Sequence, residues 1–145
     1  MHSTFQPNSP VLVSAAPLSI LRAEGSVRAG FPSPAEDFAV TRLDIGALLV
    51  KHPQATYLLR VAGPSMREFG IDDGDLVAVD RALQARHGCI VVAVIEGEFT
   101  VKKLFKAAGM VNLKAGNPTY PDITPKEGQS LEIWGVVTSC IKIFA

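Results

Sequence analysis

Cysteine is nearly absent from this chain, and nothing in it is arranged to hold a metal. Cys89 and Cys140 stand far apart in apolar stretches, and His2, His52 and His87 are scattered with no pair at ligand spacing. No zinc site, disulfide framework or cofactor is implied. The two cysteines are expected to be small buried side chains in a reducing compartment, the cytoplasm. Net charge is missing as well. The 14 Lys and Arg balance 14 Asp and Glu, so the chain lacks the electrostatic footprint of a protein that grips DNA directly by its phosphates. Long apolar runs are also lacking. Candidates such as Leu76 to Lys102 are broken by charges and fall short of the roughly 20 apolar residues of a membrane-spanning helix. Val11 to Ile20 is mildly apolar but contains Pro17 and follows no basic leader, so no secretory signal is expected.

What is present is enough apolar material for a core: 48% of 145 residues, fitting one domain with a tail. Residues 1–29 are rich in Ser, Pro, Ala and Gly, without sustained periodicity, and are expected to form a mobile arm. The arm ends at Arg28-Ala29-Gly30-Phe31-Pro32-Ser33-Pro34, a proline-stiffened extended segment that suits either a groove or an ordinary linker. Asp44 is placed to cap a short helix carrying Ile45, Leu48, Leu49 and His52, ended by Pro53. From there the pattern turns to strands: Thr56 to Ala62, Leu76 to Arg81, Cys89 to Ile95, Glu98 to Phe105, Met110 to Lys114 and Leu131 to Ile143. Glu96-Gly97 makes a two-residue hairpin turn, while Asp72-Asp73-Gly74-Asp75 and Asn117-Pro118 mark loops. The body is expected to be mainly β with one short helix.

One stretch invites a chemical reading. Val61-Ala62-Gly63-Pro64-Ser65-Met66 lifts a serine out of the end of a strand on a glycine-proline turn. Serine becomes a nucleophile only when a base takes its proton, and no histidine is near in sequence. A lysine can serve if burial lowers its pKa, by up to about 3–5 units in apolar surroundings. Lys102 and Lys103 lie in such a run, flanked by Phe99, Val101, Leu104 and Phe105. Alternation sets Glu98, Thr100, Lys102 and Leu104 on one face and Phe99, Val101, Lys103 and Phe105 on the other, and does not choose between the lysines. A Ser-His-Asp hydrolase using His87 with Asp72, Asp73, Asp75 or Asp80 is a second arrangement, and snorkelling edge lysines beside an ordinary turn serine are a third.

Taken together the motifs are more specific. An Ala-Gly site is followed by F-P-S-P-A-E-D-F, G-P-S-M, G-I-D-D-G-D, H-G and G-E-F-T-V-K-K-L, in an order and spacing that resemble the UmuD family of SOS mutagenesis proteins from about Ala29 to Ile143. These proteins belong with the self-cleaving LexA-type repressors and share Ser-Lys chemistry with type I signal peptidases, which need a membrane anchor. The resemblance implies a LexA-like β domain over 30–145 that removes its own arm, residues 1–29. It implies Ser65 as nucleophile and Lys102 as general base, 37 residues apart as in the family, with cleavage between Ala29 and Gly30. It further implies stimulation by a RecA filament on single-stranded DNA, and a homodimeric product that joins a UmuC-type subunit in an error-prone polymerase of the polymerase V type. A polymerase accessory module with a vestigial site is the alternative. One position departs from the pattern: Pro64 precedes the serine and has no N–H to offer an oxyanion.

Overall fold

The β-rich pattern becomes strands where it was expected. The computed structural model describes residues 11–12, 19–23, 40–126 and 129–145. Its strands are β1 (Val11–Leu12), β2 (Ser19–Ala23), β3 (Val40–Asp44), β4 (Thr56–Arg60), β5 (Leu76–Asp80), β6 (Ile90–Ile95), β7 (Glu98–Ala107), β8 (Met110–Lys114) and β9 (Leu131–Ile141). Seven of them form one antiparallel sheet in the order β1-β4-β5-β9-β6-β7-β8, and β2 pairs with β3 separately. The six expected body strands correspond to β4–β9, with β8 as expected and the ends of the others within two residues of expectation.

The arm differs from expectation in part. Val11–Leu12 adds to the edge of β4, and Ser19–Ala23 pairs along the whole of β3. Pro10 and Pro17 fall outside both strands, so each short stretch keeps its amide donors for pairing. The Arg28–Pro34 segment and the Ala29-Gly30 bond lie outside the described residues.

The helix is α1 (Ile45–Leu49), capped as expected by Asp44, whose Oδ1 accepts from the Gly46 and Ala47 amides at 3.0 and 3.3 Å. It stops before His52, because Val50 is extended and the histidine has another role. His52 Nδ1 lies 2.6 Å from the buried carboxylate of Asp80, and its carbonyl accepts from Thr56 Oγ1 at 2.7 Å.

Two tight turns fix the register around β7. Glu96 and Gly97, with φ of 49° and 80°, form a type I′ turn between β6 and β7, and Ala108-Gly109 repeats the device between β7 and β8. Val91 is thereby set opposite Lys102, and Val92 opposite Val101. Adjacent β7 side chains then serve two cores. Val101 packs on the cluster of Leu59, Val61, Met66, Ile71, Val77, Val79 and Val92, whereas Leu104 joins Val91, Ala93 and Leu113. Lys102 shares a strand face with Leu104 and is buried. Cys89 and Cys140 are free thiols, half-buried where full burial was expected, and Cys140 Sγ donates to Asp75 at 3.4 Å.

The two halves of the sheet meet closely at β9. A Cβ at Gly135 would lie 2.6 Å from Cγ1 of the fully buried Val79. Gly135→Ala is therefore expected to lower unfolding free energy by about 1–3 kcal/mol, measured by urea denaturation.

Candidate active site

The serine turn begins where β4 ends. Val61 still pairs, donating to the Asp75 carbonyl and accepting from the Gly74 amide, both at 2.8 Å. Gly63 follows in the left-handed region at φ 88°, and its amide donates to Asp73 Oδ1 at 2.7 Å. The acidic loop 72–75 is thus the scaffold of this turn. Lys142 braces it, bridging Asp72 at 2.8 Å and bonding Asp75, whose carboxyl is held below its ordinary range chiefly by that bond. On the far side, Met66 is 1% exposed in the first core cluster, and its carbonyl accepts from Phe69 and Ile71 amides across a 3₁₀ turn over Arg67–Phe69. Ser65 is left half-buried between a pinned glycine and a buried methionine.

Lys102 comes to meet it. Its Nζ lies 3.0 Å from Ser65 Oγ, 3.1 Å from Thr100 Oγ1 and 3.1 Å from the Val101 carbonyl. Lys102 is 6% exposed, no carboxylate forms a salt bridge with it among the described residues, and burial pulls its pKa below the ordinary lysine value. The three contacts suit a neutral amine. In the neutral form, two N–H bonds can go to Thr100 Oγ1 and the Val101 carbonyl, which leaves the lone pair for the serine hydroxyl. Such a pair can take the hydroxyl proton as the oxygen attacks a carbonyl.

The other candidates are occupied elsewhere. Lys103 points to the opposite face, with Nζ 4.8 Å from the centre of the Phe69 ring. His87 packs edge-on against Phe105, and its Nδ1 accepts from the Lys106 amide at 3.0 Å. Asp80 bonds His52, Asp73 bonds Gly63, and Asp72 and Asp75 bond Lys142, so no Ser-His-Asp arrangement forms among the described residues. Ala29 and Gly30 lie outside them.

A cleft of about 360 Å³ opens beside Ser65, walled by Leu59, Val61, Ala62, Phe99 and Val101, with Arg60 and Glu98 as its charged residues. Two strand edges border it. Val61 directs its N–H and C=O toward the 74–75 loop, so the backbone groups of Arg60 and Ala62 face the other way. The β6–β7 register likewise turns the backbone of Phe99 and Val101 away from β6, and β8 pairs with β7 only from Lys103 onward.

Sequence reasoning missed Thr100, although its i−2 position on the Lys102 face was a usable signal. It also missed Gly116 and Asn117, which carried none. The Gly116 amide donates to the Ser65 carbonyl at 2.6 Å, and Asn117 Nδ2 donates to the Pro64 carbonyl at 3.0 Å.

Burial of a lysine gives a testable stability signature. With its folded pKa depressed, Lys102 binds fewer protons folded than unfolded between the two values, so the folded state bears its cost below the folded pKa and sheds it as pH rises toward the ordinary value. Lys102→Met should exceed wild type in denaturant stability at pH 7, and the gap should close as pH rises toward about 10.4. A gap independent of pH would contradict this.

Comparison with known proteins agrees with the geometry. The peptidase S24-like family model matches residues 21–138. Protein SamA of Salmonella typhimurium strain LT2 is 42% identical over 135 residues, covering 93% of this chain and 91% of that protein. Protein MucA of Escherichia coli is 47% identical over 114 residues, 77% of each chain. The LexA repressor of Paracidovorax citrulli is 43% identical over 118 residues, which span 81% of this chain but 52% of the repressor. With a family match over most of its length and such relatives, the chain belongs to the peptidase S24-like family, in the UmuD-type branch that its motifs resemble.

Proposed function

We propose that this protein is a UmuD-like SOS mutagenesis protein that cuts its own chain between Ala29 and Gly30. The observation that carries the reading is the 3.0 Å contact between Ser65 Oγ and the Nζ of a buried lysine that has no carboxylate in salt-bridge range among the described residues. In the reaction, Lys102 accepts the hydroxyl proton while Ser65 Oγ bonds to the Ala29 carbonyl carbon. The C–N bond to Gly30 then breaks as the proton passes to the leaving amine. Water, activated by the same lysine, releases the acyl group and restores the serine.

The sequence around the bond fits the slot. Val27 and Ala29 alternate with Ser26 and Arg28 in sequence, so if this segment enters the cleft extended, its two small apolar side chains would share one face, suited to walls of Leu59, Val61 and Val101. The leaving side carries Pro32 and Pro34, which have no backbone N–H to donate. The chain is folded from Val40 onward, so only the ten residues from Gly30 to Val40 set the reach, roughly 35 Å when extended, and this length alone does not choose between cutting within a chain and cutting a dimer partner. Removal of residues 1–29 would take β1 from β4 and β2 from β3, baring the edges at Tyr57–Leu58 and Val40–Asp44.

On this reading a RecA filament on single-stranded DNA stimulates the cut in the cytoplasm. The product, residues 30–145, is a homodimer that joins a UmuC-type polymerase subunit. The neutral charge supports contact with DNA through partners rather than directly. The alternative is a non-catalytic accessory module.

Incubating the full chain with a RecA filament, or at alkaline pH, and following loss of the arm on a gel tests the proposal. Wild type should shorten, at a rate that rises with pH until Lys102 is neutral and then levels. Ser65→Ala and Lys102→Ala should keep the arm while unfolding near the wild-type temperature. Normal cleavage of Lys102→Ala would sink the assignment, and no shortened wild-type band under either condition would favour the module.

A further inference from the structure

Pro64 removes one backbone donor from the nucleophile turn, and the remaining donors are held in an unusual way. The two peptide planes flanking Ser65 are each pinned through their carbonyl by one short segment that follows β8. Asn117 Nδ2 donates to the Pro64 carbonyl at 3.0 Å, and the Gly116 amide donates to the Ser65 carbonyl at 2.6 Å. A trans peptide is planar, with its N–H directed opposite to its C=O, and the chain has no cis bonds among the described residues. The Pro64 carbonyl accepts from Asn117 and, at 3.3 Å, from the Arg67 amide of the same turn, and the plane so held turns the Ser65 N–H away from this strap. That N–H donates to no group among the described residues.

Asn117 is itself rigidly held. It is 7% exposed, and its Oδ1 accepts from both the Thr119 amide at 3.1 Å and Thr119 Oγ1 at 2.9 Å, which fixes the direction of the Nδ2 donor. The strap also grips the turn from its other side, since the Glu68 amide donates to the Gly116 carbonyl at 2.7 Å. A side chain at Gly116 would collide with the Phe69 ring at 2.6 Å, so this close approach requires glycine.

We propose that Asn117 is a positioning residue, which orients the Ser65 N–H to receive the oxyanion formed when Ser65 attacks. This rests on the self-cleavage reading above and deepens it. With Pro64 unable to donate, the Ser65 N–H is the nucleophile's own backbone donor, and its direction is held by the Asn117 side chain, 53 positions away, with the longer Arg67 contact as the local support. A donor acts only if it meets the position where charge develops, and a misplacement of about 1 Å can cost about 10²-fold in rate.

The test uses the full chain under conditions in which wild type sheds its arm and Ser65→Ala does not. Asn117→Leu removes the donor without adding charge near Lys102. It should slow arm loss about 10²-fold, leave the pH midpoint of the rate unchanged because Lys102 is untouched, and retain a cooperative unfolding transition. Thr119→Val, which removes only the hydroxyl contact to Oδ1, should slow the reaction far less. Pro64→Ala restores a backbone N–H beside the serine and should recover part of the rate lost in Asn117→Leu; a purely structural role predicts that this looser turn makes the double variant slower still. An unchanged rate in Asn117→Leu, a moved pH midpoint, or no recovery in the double variant would overturn the inference. Absence of arm loss in wild type would overturn the reading beneath it, and the inference with it.

Discussion

A buried lysine with no carboxylate partner among the described residues is the constraint on which the rest of this molecule turns. Lys102 sits on the same β7 face as Leu104, in a position that the fold would fill more stably with an apolar side chain. It is kept there by register. Two type I′ turns close the β6–β7 and β7–β8 hairpins without slack, so a slip of one residue would swap every inward side chain of β7 for an outward one. The lysine head is then satisfied by neighbours of its own strand, Thr100 and Val101, and by the hydroxyl of Ser65. The result is an amine that burial biases toward neutrality, next to an alcohol.

The serine half depends on a different kind of restraint. Nothing in the Gly63–Met66 turn is held by regular pairing, yet it is fixed from three directions. Asp73 holds Gly63 through its amide, the apolar core holds Met66, and Gly116 with Asn117 holds the two carbonyls around Ser65. Two of these anchors come from the loop 72–75 and the segment after β8. Loss of either loop would leave the lysine in place and the serine without direction.

Much of the architecture was legible because local chemistry and long-range pairing agree. Glu96-Gly97 between two β-branched runs specifies a hairpin, and Asp44 before an apolar run specifies a cap. The choice between Lys102 and Lys103 was not legible from periodicity, because both faces of β7 carry large apolar side chains and both are used, one for each core cluster. Resemblance named Lys102, and the register supplies the physical reason. His52 was assigned to the helix face by spacing, but its pull toward Asp80 is a contact 28 residues distant that no local window contains. Asn117 was legible only as a turn-former before proline. Its donor is used across 53 residues, and its partner is a backbone carbonyl, which has no signature in sequence.

Pro64 is the point at which sequence, geometry and proposed chemistry pull in different directions. A proline suits the turn, since its fixed φ lowers the entropy lost in holding Ser65 at the end of β4. It also denies the oxyanion a donor, a loss on the order of 10²–10³ in rate for a typical acyl-transfer site. An enzyme working on a dilute substrate would lose that factor in every turnover. A chain that cuts itself works under different demands. In the self-cleavage proposed above, the substrate is a segment of the same protein and each molecule reacts once. With turnover replaced by a single event, the proposed reaction tolerates a missing donor in exchange for a rigid turn, provided that the Ser65 N–H is aimed. The strap of Gly116 and Asn117 meets that condition, so the proline and the asparagine are best understood as a pair.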